Sequence, residues 1–305
     1  MTPAVHSRRQ ALAVLLGAGP WLPRKLAGAA GPAIRMGISE STVGDVNLND
    51  ARMAVQVWLK RLGAEVNLVI DPKCFSTTRE IVERVRNNQL DVVAVNALEY
   101  RLIANLLDSS EIVTAAGGDG VEQYLILIRR NGGVRRLGDM KGRRLVIMKA
   151  PKTCLAPAWL STLLDDAGCG TAEQFFGSIT TESKFSRVIL PVFFGQADAC
   201  LTSRRGFATM SELNPQVGKE LQALASSAPL VPAFYVFRRN YPEAEKARLV
   251  NAIANLRNGI GGQELATLFQ FDRLAVMSGD SLTSALNLLD KADRAHARQS
   301  AGGRK

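Results

Sequence analysis

Between Ala33 and Leu107, short apolar runs alternate with stretches of helical periodicity, and that alternation leaves few folds open. Ala33–Ile38 reads as a strand and Ser39–Asp45 as the polar loop that follows it. From Asn49 to Leu62 the apolar residues Ala51, Ala54, Val55, Trp58, Leu59 and Leu62 recur at helical spacing, and Gly63 closes the run. Glu65–Ile70 reads as a second strand. Thr77 caps a helix through Asn88 that turns Ile81, Val82 and Val85 inward. Asp91–Val95 is a third strand, running into Asn96–Tyr100 and a helix to about Leu107. Strands separated by helices imply a parallel sheet with helices on its faces, because parallel neighbours need a crossover. Ligands of such sheets sit off the carboxyl ends of the strands. Here those ends are Ser39–Ser41 and Asn96–Tyr100.

A second lobe begins after Asn131-Gly132-Gly133, where Tyr124–Arg129 reads as a strand leading away from the first. Its centre is Leu145–Trp159. Leu145–Met148 is a buried strand that breaks into a loop and opens a helix near Thr153–Pro157. A helix start exposes unpaired N–H groups and carries roughly half a positive charge. With Lys149 and Lys152 just ahead of it, this is an anion seat, with Thr153 as contact, helix cap or both. A helix over Ser183–Phe194, a turn and strand over Gly195–Leu201 and a short helix within Ser211–Ala223 follow. Leu224–Pro229 is strand or loop. Pro232–Phe237 is a return strand, and Pro242–Asn258, Gly262–Phe269 and Ser281–Ala295 are helices. The organisation expected is lobe 1 over 30–125 and 235–295, lobe 2 over 126–234, and a disordered Gly/Arg/Lys tail over 296–305.

Both histidines, His6 and His296, lie outside the lobes so drawn. A Ser-His-Asp triad, a Cys-His pair or a histidine-based zinc site therefore has no histidine in the folded body. Neither a GxxxxGK[ST] loop nor a GxGxxG fingerprint occurs. The expectation is no enzyme, no cofactor and no metal. The net charge of +10 is concentrated partly at the ends: residues 1–29 hold Arg8, Arg9, Arg24 and Lys25 and no acid. No basic run is interleaved with aromatics, which argues against nucleic acid as a partner. Residues 1–29 read as an export signal, with Ser7-Arg8-Arg9 in twin-arginine style, the apolar run Ala11–Leu22, and small residues Ala27–Ala30. That run is too short to span a bilayer. A periplasmic protein, soluble after cleavage, is expected. Cys74, Cys154, Cys169 and Cys200 are either buried free thiols or disulfides in one of three pairings.

Several stretches together resemble the periplasmic phosphate/phosphite/phosphonate-binding proteins of ABC transporters, over about residues 33–275. They are Leu90–Val95 with Asn96–Tyr100, the lobe entry LGDMKGRRL (137–145), GQADA (195–199) and GQELATL (262–268). The resemblance implies an α/β type 2 periplasmic-binding fold, two lobes joined by two hinge crossover strands. It implies an oxyanion held in the cleft by hinge closure and delivered to an ABC permease, by a monomer. The same fold also serves sensory or adaptor proteins that report to a sensor kinase. Carried onto this chain, the ligand-binding residues are Thr153, Lys152 and Cys154 from one lobe and Ser39, Ser41, Asn96 and Tyr100 from the other, with Asp198 in the GQADA turn. The family commonly places a Ser/Thr-Ser-Gly run where this chain has Lys152-Thr153-Cys154-Leu155, and a Ser-His pair where it has Ser178-Ile179.

Overall fold

The computed structural model describes residues 33–43, 53, 56–57, 59–60, 63–64, 68–116, 121–255 and 273–302. The export signal and the 262–269 helix lie outside the described residues, as does most of the 49–62 helix, of which Met53, Gln56, Val57, Leu59 and Lys60 are helical. The described strands form two sheets. The first contains β1 (Ile34–Ser39), β2 (Ile70–Phe75), β3 (Val92–Asn96), β4 (Leu107–Ala116), β10 (Ala233–Arg238) and β11 (Arg273–Ser278), in the order β11-β4-β10-β3-β1-β2. The second contains β5 (Tyr124–Arg129), β6 (Arg144–Met148), β7 (Ser178–Glu182), β8 (Ala199–Ser203) and β9 (Leu221–Ser226), in the order β7-β6-β8-β5-β9. In the first sheet β1, β2 and β3 are parallel, β10 is antiparallel to its neighbours β3 and β4, and β11 is antiparallel to β4. In the second, β6 is parallel to β7 and β8 while β5 is antiparallel to β8 and β9. Each sheet is the centre of one lobe of a two-lobed α/β fold.

The chain changes sheets twice, between β4 and β5 and between β9 and β10. These two crossovers pair with each other: Glu122 and Leu230 exchange backbone hydrogen bonds of 2.7 and 2.8 Å. Just beyond, Ser227 Oγ accepts the Tyr124 N–H at 2.9 Å. Tyr124 and Leu125 belong to the second sheet, and Ala233 and Phe234 to the first.

Three helices matter for the cleft. The first, α1 (Thr78–Arg86), is capped by Thr77 as its sequence predicts. Next, α2 (Ala97–Ile103) starts directly from β3, with Asn96 as N-cap and Glu99 closing a reciprocal capping box. In lobe 2, α3 (Ala156–Asp166) follows β6 through a 3-10 turn at Pro151–Thr153. The helix thus opens three residues later than Thr153, because Thr153 folds back onto its own loop and Pro157 fits the first turn. Lobe 2 is completed by α4 (Ala172–Phe175), α5 (Phe185–Phe193), α6 (Arg204–Leu213) and α7 (Pro215–Glu220), and lobe 1 by α8 (Glu243–Asn255).

The other departures have plain causes. The second strand is Ile70–Phe75 rather than Glu65–Ile70. It is an edge strand, and an edge tolerates Pro72, which has no N–H to give a ladder. β4 carries Asp108, Ser109, Ser110 and Glu111, a polar start that hides its strand character. Lys246 of α8, itself buried, meets Asp108 at 2.8 Å and Ser110 at 2.9 Å. The final helix, α9 (Thr283–Gly302), runs through residues 296–302, which were expected to be disordered. Arg298 pairs with Asp165 there, and Gln299 donates to the Gly170 carbonyl at 3.2 Å.

α9 lies across both lobes. Arg101 of α2 meets Asp293 at 2.5 Å and Asp290 at 3.7 Å, while Lys291 meets Asp166 of α3 at 2.5 Å. Between these pairs Ala285, Leu289, Ala292 and Ala295 are buried. Small side chains on that face let three helices approach closely. One apolar cluster therefore runs unbroken from Val95 and Ile103 of lobe 1 through Leu282, Ala285 and Leu289 to Leu160, Leu164 and Ile126 of lobe 2. The outer faces of the two sheets carry separate clusters.

Candidate functional site

The carboxyl ends of β1 and β3 and the carboxyl end of β6 face one another across the crossovers. The 3-10 turn Glu40–Thr42, which follows β1, packs against the turn Pro151–Thr153, which follows β6. Behind this contact the walls are nearly dry: Ser39, Asn96, Glu99, Tyr100, Tyr124 and Thr153 are all buried.

The lobe 1 wall is built on Glu99. Its Oε1 accepts from Ser39 Oγ at 2.6 Å and Thr78 Oγ1 at 3.2 Å. Its Oε2 accepts from Ser41 Oγ and from the Asn96 N–H, both at 3.0 Å. Asn96 in turn receives the Glu99 N–H on Oδ1 at 2.9 Å and donates Nδ2 to Ser41 Oγ at 3.0 Å. Three residues predicted to meet the ligand, Ser39, Ser41 and Asn96, are thus brought together around a carboxylate that the sequence reading passed over. Its signal was present: Asn96-x-x-Glu99 ahead of an apolar run has capping-box spacing. Tyr100 is turned into the core, with its ring edge-on to Phe234 at 5.2 Å between centroids.

The lobe 2 wall is the start of α3. Thr153 Oγ1 donates within its own turn, to Met148 O at 2.8 Å or Ala150 O at 3.1 Å, and accepts the Ala150 N–H at 3.0 Å. Its hydroxyl shapes the loop; what faces the cleft is backbone and Cys154. The Cys154 thiol donates to Pro232 O at 3.5 Å, and the same carbonyl accepts the Ala97 N–H of lobe 1 at 2.9 Å. One crossover carbonyl therefore holds both walls. Burial, aided by the nearby Glu99 carboxylate, pushes the Cys154 thiol up to about 12. Tyr124 donates its hydroxyl to Lys152 O at 2.9 Å, and burial, then Cys154 and Glu122, raise its phenol well above the ordinary value. Lys152 sits 3.9 Å from Glu122 in the first crossover. Burial raises the Glu122 carboxyl, and Lys152 and Arg205 only partly offset that.

Asp198 stands apart from this group. It lies at the opposite end of the second sheet, where its carboxylate accepts from the Arg144 backbone N–H at 2.9 Å and the Arg144 Nε at 3.0 Å. The Arg144 guanidinium, and then that backbone bond, hold its carboxyl below the usual range despite partial burial. The residue orients the turn into β8. None of the four cysteines forms a disulfide, and Cys200 is fully buried. Among the described residues no group of three His, Cys, Asp or Glu side chains is placed to hold a metal, and no helix is long and apolar enough to cross a membrane.

Residues 47–282 match the profile of a family described as the periplasmic substrate-binding protein of phosphonate ABC transporters. The chain belongs to this family. It is a family of substrate-binding transporter components rather than of enzymes. Solved structures agree on the fold. XAC2383 from Xanthomonas citri, solved with chloride, superposes with a TM-score of 0.61 at 14% identity, covering 87% of this chain and 99% of its own. PhnD1 from Prochlorococcus marinus, in complex with methylphosphonate, gives 0.57 at 16% identity, with 86% and 98% covered. PA3383, a binding protein component of an ABC phosphonate transporter from Pseudomonas aeruginosa, gives 0.56 at 12% identity, with 88% and 89% covered. A comparison with curated proteins finds no sequence match.

Proposed function

We propose that this chain is an exported, periplasmic binding protein that takes a small phosphonate-, phosphate- or phosphite-like oxyanion into the cleft between its lobes. The oxyanion lies against the first turn of α3, where the helix dipole favours negative charge. Closure about the paired crossovers seals it between the Glu40–Thr42 and Pro151–Thr153 turns, and the closed form delivers it to an ABC permease. Family membership supports the solute class. The observation that carries the reading is the meeting of both cleft walls on the single Pro232 carbonyl, at a crossover that binding would strain or relax.

The test is a thermal-shift titration of the chain with phosphate, phosphite, methylphosphonate, 2-aminoethylphosphonate and sulfate. A ligand at about 100 times its Kd adds about 2.7 kcal/mol of stability. For a chain of this size that raises the midpoint by roughly 5 °C. A rise with one phosphorus oxyanion and none with sulfate is expected. No rise with any of the five would refute the oxyanion reading.

A further inference from the structure

The donors of the lobe 1 wall are already committed to a negative charge that belongs to the protein. The Ser39, Ser41 and Thr78 hydroxyls and the Asn96 N–H all lie within hydrogen-bonding distance of Glu99, and Ser39 Oγ and Ser41 Oγ also lie 2.9 Å apart, so each of these hydroxyl protons has a partner on the wall itself. A carboxylate has about four acceptor positions, and these four donors fill them. Glu99 is only 8% exposed, and among the described residues no cation pairs with it. Among the described residues its partners are three hydroxyls and one backbone N–H. Cys154, across the cleft, is close enough for its thiol to feel that charge. A ligand oxyanion placed on this wall would find no free hydroxyl proton and would meet a like charge in a dry site.

We infer that Glu99 is the specificity-determining residue of the cleft. It makes the Ser39–Ser41–Asn96 wall one that repels anions, so the ligand meets lobe 2 with its oxyanion and lobe 1 with a cationic or neutral end. This rests on the oxyanion reading of the α3 seat given above. The selection works mainly by exclusion: a second anionic end is rejected by a like charge rather than by shape.

Four phosphonates of equal length separate the possibilities: 2-aminoethyl-, 2-hydroxyethyl-, ethyl- and 2-carboxyethylphosphonate, titrated calorimetrically into the full chain. The expected order of affinity is ammonium, hydroxyl, methyl, then carboxylate, with the two extremes at least tenfold apart. Glu99→Gln keeps the shape and removes the charge, and should compress that range to about threefold by improving the carboxylate ligand most. Equal binding of all four by the unaltered chain, or an order that Glu99→Gln leaves intact, would overturn the inference while sparing the oxyanion reading. Binding of none of the four would overturn the inference, and the thermal-shift titration with phosphate and phosphite then decides the oxyanion reading separately. If Glu99→Gln fails to fold, the ranking by the unaltered chain decides alone.

Discussion

Asp91 closes the end of β3 opposite to the cleft, and its replacement by asparagine tests how lobe 1 is held together. The carboxylate is buried and accepts four bonds. Three come from Arg35, through the backbone N–H at 2.9 Å, Nε at 2.8 Å and Nη2 at 2.7 Å, and one from Arg238 Nε at 3.0 Å. It thereby ties β1 and β10 to the strand between them. Asp91→Asn removes the charge and points an NH2 at two donors, so two bonds become clashes. Breaking a buried ion pair from one side costs about 3–5 kcal/mol. The Arg35 side chain is 41% exposed and can turn to water, which reduces the expected loss to about 2–3 kcal/mol. The midpoint at pH 7 should fall by roughly 5 °C. The pH dependence supplies a second check. Burial works to raise the Asp91 carboxyl, but the Arg35 and Arg238 bonds outweigh it and hold it low. A carboxyl lowered in the folded state contributes stability that is present above its unfolded value, about 3.9, and is lost as pH falls through the folded value. The gap between the two proteins should therefore narrow in acid, below about pH 4. Melts at pH 7 and pH 3 decide it. A midpoint unchanged at pH 7, or a gap equal at both pH values, would refute the reasoning.

Glu122 has the opposite sign. A carboxyl raised by burial opposes folding when ionised, and the penalty lifts as pH falls through its folded value toward the unfolded one. Glu122→Gln should raise the midpoint at pH 7 and match the unaltered chain in acid, read by the same melts. Cys154 and the fully buried Cys200, both raised by burial, should resist alkylation by iodoacetamide at pH 8 in the folded chain and react once denatured, as mass spectrometry of labelled peptides would show. Rapid native labelling of Cys154 would mean that the cleft stands open.

Much of the fold was legible because its period was. Parallel strands with amphipathic helices between them announce themselves through apolar spacing, and β1, α1, β3, β6 and β10 lie within a residue or two of where that spacing puts them. What escaped was written in polar residues with distant partners. β4 looks like a loop until Lys246, more than a hundred residues away, is set beside Asp108. Residues 296–302 look like a tail until Asp165 and the Gly170 carbonyl are seen to receive Arg298 and Gln299. The site divides the same way. Ser39, Ser41 and Asn96 stand at strand ends, which apolar spacing marks. Their common partner Glu99 reads in one dimension as part of a helix cap, and nothing local says that its carboxylate also gathers hydroxyls from β1 and α1. Thr153 stands in the turn ahead of α3, with its hydroxyl bonded within its own loop. Asp198 matched a turn motif and serves that turn.

The C-terminal helix changes what opening the cleft must mean. α2 and α3 each begin at a cleft wall, and the far ends of both are lashed to α9 by Arg101, Asp165 and Asp166. The molecule is less a clam on a free pin than a pair of tongs with a leaf spring riveted across the back. Spreading the jaws has to slide or flex that spring over the Ala285–Ala295 seam. Its rivets are charge pairs near the surface, which dissolved salt weakens, whereas its bearing surface is apolar and indifferent to salt. Ionic strength then trims the stiffness of the movement, and the seam fixes the position to which the jaws return.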